Sequence, residues 1–205
     1  MTPSETKQLT SHPRNASETK QRILAAAKTL FAKNGYGNVG TRAIAAEANV
    51  NITLINRYFG SKKNLFAEIM TTLGKTPRSA RTEKENALAA IMDFLSEDEN
   101  ARKEEIRLIL FSALDPEVSD IIFDFFIQQY TAHSKIMPGQ NKETRSYVSF
   151  SLIAGIALSS FVTYKAFRNK LDKNYIEDFF QIMMDRLYSS EAALSDDEKS
   201  ATGNG

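Results

Sequence analysis

Apolar residues recur along this chain at helical spacing, and no segment alternates with period two between turn signals. Ile23, Leu24, Ala27, Leu30 and Phe31 share one face of a 3.6-residue period. Ser17 is a candidate cap before them, and Asn34-Gly35 a left-handed stop after them. A short helix is predicted from Thr41 to Ala48, with Ile44, Ala45 and Ala48 inward. A tight connection, Asn49-Val50-Asn51, leads to a third helix over Ile52–Phe59, with Asn51 as its cap. Gly60-Ser61 breaks that helix, and Ser61 caps a fourth through Leu65, Phe66, Ile69, Met70 and Leu73. Further helices are predicted over Glu83–Leu95, Glu104–Leu114, Pro116–Ile136, Thr144–Phe167 and Tyr175–Tyr188. Pro116 stands at a favourable first-turn position. The pattern as a whole predicts an all-α fold without a sheet. Residues 1–16 are polar and aperiodic and read as a disordered arm; residues 191–205 read as a disordered tail.

Composition removes whole classes of chemistry. The 205 residues contain no Cys, which excludes disulfide frameworks, thiol nucleophiles and Cys-based zinc sites. Its two histidines, His12 and His133, are far apart, so no paired-His metal motif exists and neither metal nor cofactor is expected. No Gly-rich phosphate loop or nucleophile motif is visible, which argues against an enzyme. No basic stretch followed by an apolar run opens the chain, so the expected location is the cytoplasm. A net charge of +1 hides an asymmetry. Residues 1–80 hold 12 Lys/Arg against 4 Asp/Glu, a net of +8; the remainder holds 14 against 21, a net of −7. The basic part is the one expected to meet a polyanion.

Residues 41–66, TRAIAAEANVNITLINRYFGSKKNLF, concentrate that expectation. On the wheel of the third helix, Ile55 and Phe59 turn inward with Val50, and Ile52, Thr53, Asn56 and Arg57 share the opposite face. A guanidinium can fork onto guanine and an amide onto adenine, while an isoleucine or a threonine methyl can touch a thymine methyl. A helix of about eight residues suits insertion of its N-terminal end into a major groove.

The chain here resembles the TetR family of transcriptional repressors. The likeness is carried over residues 20–70 by Leu30-Phe31, Gly35-Tyr36, Arg42-x-Ile44-Ala45 and Tyr58-Phe59-Gly60-Ser61-Lys62 with Leu65-Phe66. It implies a helix-turn-helix DNA-binding domain over residues 17–61 and a helical effector-binding and dimerisation domain over residues 62–190. Thr41 and Arg42 would reach the backbone or a base. Ile52, Thr53, Asn56 and Arg57 would face the major groove, and Tyr58 and Lys62 would hold phosphates. Asn49 stands where the family usually has Gly, and Asn tolerates positive φ. Asn56 stands where an aromatic commonly touches the phosphate backbone, so it reads a base or serves as a weaker phosphate donor.

Ser146 to Tyr164 is 19 residues without a charge, long enough to raise a membrane span. Six of the 19 are Ser or Thr and charges flank both ends, so a buried helix is expected and no membrane contact. The likeness implies that this helix and the last one form a homodimer interface, through Ala154, Gly155, Leu158, Phe179 and Met183. Phe94, Phe111, Phe123, Phe126 and Tyr130 are candidates to line a pocket for a small hydrophobic effector. His133 is expected at the surface. The leading function is a dimeric repressor released from a palindromic double-stranded operator by such an effector. The alternatives are a ligand-independent DNA-binding protein of the same fold and a helical protein–protein adaptor.

Overall fold

The computed structural model describes residues 13–73, 82–96, 100–162, 166 and 170–189. They form α1 (Pro13–Asn34), α2 (Thr41–Glu47), α3 (Ile52–Phe59), α4 (Lys62–Leu73), α5 (Glu83–Leu95), α6 (Ala101–Ser112), α7 (Ser119–Ile136), α8 (Lys142–Val162) and α9 (Lys173–Tyr188). No strand occurs among the described residues. The helical periodicity is therefore borne out, with shifted ends. The first helix begins at Pro13, inside the expected arm, because proline at a first helical position lacks only an N–H that would have no helical partner. Pro116 belongs instead to the turn before α7, which starts three residues later. The tail from 191 and most of the expected arm lie outside the described residues.

The chain divides into two compact units, Met1–Thr72 with Arg107–Ile121, and Leu73–Ile106 with Ile122–Gly205. The first unit thus includes α4, the C-terminal half of α6 and the turn into α7, which a single boundary at 61/62 would not give it. Its core holds Ile23, Ala27, Phe31, Tyr36, Ile44, Ile55, Leu65 and Phe66, all buried. Phe31, Tyr36 and Phe66 form a ring triangle with centroids 5.3–5.5 Å apart. Two of those contacts are edge-on, the arrangement that ring quadrupoles favour. The Lys20 ammonium pairs with Glu68 at 2.7 Å and joins α1 to α4.

In the second unit α5 lies against α8 and α9. Thr82 and Glu85 close a capping box at its start. Ile91 and Ala87 meet Met184 of α9, while Phe94 and Ala90 meet Ala157 of α8. Arg145 is buried and serves the end of α9: its guanidinium donates to the carbonyls of Leu187 and Ser189 and, at 2.5 Å, to that of Pro138. Carbonyls that a helix end leaves without partners are thereby satisfied. His133 is buried, not at the surface. Its Nδ1 lies 2.6 Å from the Ser146 hydroxyl and its Nε2 2.9 Å from that of Tyr188. The imidazole can be buried because α8 and α9 bring it these partners. No described helix is long and apolar enough to cross a membrane.

Candidate nucleic-acid interface

The connection between α2 and α3 is fixed by backbone bonds. Asn49 N–H donates to the Ala46 carbonyl and Val50 N–H to that of Ala45. Asn49 takes φ +50°, which short amide side chains tolerate better than most. Asn51 caps α3 as expected, its Oδ1 accepting from the Thr53 N–H at 2.9 Å. The same oxygen accepts from the Thr53 hydroxyl at 2.8 Å, which holds that side chain's rotamer. Gly60, at φ +77°, ends α3, and Ser61 Oγ accepts the Asn64 N–H at the start of α4.

This frame sorts α3 into two faces. Ile55 and Phe59 are buried. Ile52, Thr53, Asn56 and Arg57 are exposed together, with Ile52 at 36%. Arg42 is exposed at the start of α2, and Thr41 beside it is half-buried. Tyr58 is half-buried with its ring edge-on to Phe59, 6.4 Å between centroids. All eight DNA-contact candidates are exposed or half-buried, and seven of them have no side-chain anchor among the described residues beyond those named. Lys62 is different. Its ammonium lies 3.8 Å from the centroid of the Tyr36 ring and donates to the Tyr36 carbonyl at 3.2 Å. The neighbouring Lys63 pairs with Asp120 at 3.1 Å, and this bond holds the Asp120 carboxyl below its usual range.

Sequence reasoning missed the group that supports Lys62. The Tyr36 hydroxyl donates to Glu117 at 2.7 Å, and its backbone N–H donates to the buried Ser112 hydroxyl at 3.1 Å. Burial, and then the Glu117 carboxylate, push the Tyr36 phenol well above its usual pKa near 10. Glycines flank Tyr36, and both let residues 111–117 come close. A Cβ on Gly35 would stand 2.6 Å from the Phe111 carbonyl oxygen; one on Gly37 would stand 2.6 Å from Asp115 Oδ2. The Gly-Tyr-Gly triplet was the only sequence signal of this approach.

The candidates of the second unit fall in separate places. Phe94 is buried in the core between α5 and α8. Phe123 and Phe126 are exposed, and the Tyr130 hydroxyl donates to the Glu143 carbonyl. Phe111 is exposed and belongs to the first unit. The grooves given by the described residues of the second unit are not lined by these aromatics. The buried stripe of α7 passes through Ile122 and His133, and the two phenylalanines lie off it. An open groove of about 430 Å³ lies elsewhere, lined by Leu95, Leu152, Gly155, Ile156, Ile176 and Phe180 with two serines. Ala154, Gly155, Leu158 and Phe179 are exposed, and Met183 is half-buried.

The tight turn between α2 and the capped α3, packed on α1 and followed by a larger helical unit, is a helix-turn-helix arrangement. Residues 23–69 match the family described as bacterial regulatory proteins, tetR family. Over these residues the chain is similar to the DNA-binding domains of that family. The HTH-type transcriptional repressor SCO4008 of Streptomyces coelicolor is 42% identical over 57 residues, 28% of this chain and 30% of the repressor. The match thus spans less than a third of that relative's length. Among solved structures, Salmonella enterica GusR aligns with a TM-score of 0.62 at 15% identity, covering 88% of this chain and 98% of its own. A transcriptional regulator from Saccharomonospora viridis, solved in complex with choline, aligns with a TM-score of 0.56 at 20% identity, covering 82% and 94%. At such identities these two show a shared fold.

Proposed function

We propose that this protein is a homodimeric transcription repressor that reads a two-fold symmetric operator with α3. The observation that carries the reading is the exposed set Ile52, Thr53, Asn56 and Arg57 on a helix whose other face is locked into the core by Ile55 and Phe59. Arg57 forks onto a guanine edge, and Asn56 reads an adenine or holds a phosphate. The Thr53 hydroxyl proton is engaged by Asn51, so its methyl is left, with Ile52, for a thymine methyl. Thr41, Arg42, Tyr58 and Lys62 fix the register on the backbone. The exposed apolar positions on α8 and α9 are the dimer face, with small residues Ala154 and Gly155 allowing close approach. The groove beside Leu95, Ile156 and Phe180 takes the effector, an apolar small molecule, and so replaces the aromatic pocket expected from sequence. The SCO4008 repressor and the choline-bound regulator support regulation by DNA binding and by small molecules respectively.

The test is selection of bound sequences from random duplex DNA with the purified protein. An enriched motif with internal two-fold symmetry is expected, its half-sites about one helical turn apart or a multiple of it. Failure to enrich any sequence would defeat the reading and favour the adaptor alternative. Apolar compounds that displace the bound DNA would identify the effector class; a ligand-independent binder would respond to none.

A further inference from the structure

We propose that Glu117 is a positioning residue for DNA binding, fixing through the Tyr36 hydroxyl the ring and carbonyl on which the Lys62 ammonium rests. This rests on the reading of the protein as a DNA-binding regulator. Glu117 lies on the turn between α6 and α7, outside α2 and α3 themselves. It is itself held in place. Its N–H donates to Asp115 Oδ1 at 3.0 Å, the Asp115 carbonyl accepts from Val118 and Ser119, and Val118 is buried.

Tyr36 is fully buried and fixed at several points. Phe31 and Phe66 confine its ring, Ser112 takes its N–H, and Glu117 takes its hydroxyl. Lys62 uses two features of this one residue, the ring face and the carbonyl. A lysine side chain otherwise has four flexible torsions and much rotamer entropy to lose on binding. Here the ammonium is already localised at the N-terminus of α4. One of its three N–H donors is on the carbonyl, which leaves others for a phosphate oxygen. A phenol that donates to a carboxylate also carries more negative charge on its ring, which strengthens the ring's hold on a cation. Loss of Glu117 leaves the buried hydroxyl without its acceptor, and the ring must shift to find another. The ammonium's seat moves with it.

The decisive feature is a sign. Removing a carboxylate from a DNA-binding unit by itself raises affinity for a polyanion. Positioning predicts the reverse. Full-length protein is titrated against a fluorescent duplex of random sequence over a range of salt concentrations, and circular dichroism verifies that each variant is helical. Lys62→Ala is expected to shallow the salt slope by about 0.9 for each subunit's lost phosphate contact. Glu117→Ala is expected to lower affinity at low salt and to shallow the slope in the same direction. The double variant should add nothing to Lys62→Ala. Glu117→Gln keeps an acceptor without the charge and should retain the wild-type slope. Should Glu117→Ala not fold, Tyr36→Phe, which keeps the buried ring, tests the same link and should also shallow the slope.

A folded Glu117→Ala that keeps the wild-type slope, or binds more tightly, overturns the proposal, as does an unchanged slope in Lys62→Ala. Either result with normal wild-type binding leaves the DNA-binding reading intact. A wild type that ignores duplex DNA at low salt overturns both.

Discussion

Gly35 and Phe111 approach so closely that the first cannot carry a side chain: a Cβ on Gly35 would stand 2.6 Å from the carbonyl oxygen of Phe111. Gly35 also holds φ +76°, a left-handed conformation that costs an L-residue about 1–2 kcal/mol. The obstacle is backbone rather than a flexible side chain, so residues 111–117 must move to relieve it. Gly35→Ala is expected to destabilise the protein by about 2–4 kcal/mol, strain and overpacking together. Urea unfolding measures this; a loss below about 0.5 kcal/mol would show that the contact does not exist in solution.

Arg57 is exposed on α3 and has no hydrogen-bond or ion-pair partner among the described residues. Arg57→Ala should therefore leave the melting temperature unchanged and act on DNA alone. The expected loss is about 1–3 kcal/mol for each bidentate base contact, with relaxed preference at the matching operator position. Competition binding between the selected operator and single-base variants reads both effects. A variant that discriminates like wild type would remove Arg57 from the reading face.

The raised Tyr36 pKa makes a prediction for alkaline solution. The folded state holds the phenol proton more tightly than the unfolded chain, whose tyrosines titrate near 10. That contribution is fully present below about pH 10 and is lost as the pH rises toward the folded value. Tyr36→Phe should be less stable than wild type near pH 7, by about 1–3 kcal/mol for a hydrogen bond to a charged acceptor. The difference should narrow as the pH is raised from about 9 to about 11.5. Urea unfolding of the two proteins at matched pH cancels the titration of lysines and of Tyr188, whose pKa burial also raises. A gap that stays constant or widens would contradict the buried, carboxylate-bonded phenol.

Gly155 tests the dimer face. A Cβ built on it meets nothing within 4 Å, so a side chain there starts in open space, beside the groove that Gly155 lines. Gly155→Leu should keep its helical content and shift toward monomer in sedimentation, because the added side chain blocks close approach of a partner helix. Operator affinity should fall with it, since two half-sites no longer act as one ligand. A variant that stays dimeric and binds normally would move the interface away from this part of α8.

Features that depend on near neighbours were legible in the order of residues. The 3.6-residue period placed α3 and sorted Ile55 and Phe59 from Ile52, Thr53, Asn56 and Arg57. Asn49 and Asn51 disclosed the turn and the cap because both act within three residues of themselves. Tertiary structure alone decided which residues far apart in sequence share an environment. Nothing near Glu117 indicates that it meets Tyr36, 81 positions away, nor does anything near His133 indicate that Tyr188 will satisfy it, 55 positions away. Helical period shows that a stripe exists on α7 but not which other helix covers it, and so the exposure of Phe123 and Phe126 is visible only in the folded chain. The physical reason is the same in each case. Capping and amphipathic pattern are set by local backbone geometry, whereas burial of a polar or aromatic group depends on which distant partner the packing supplies.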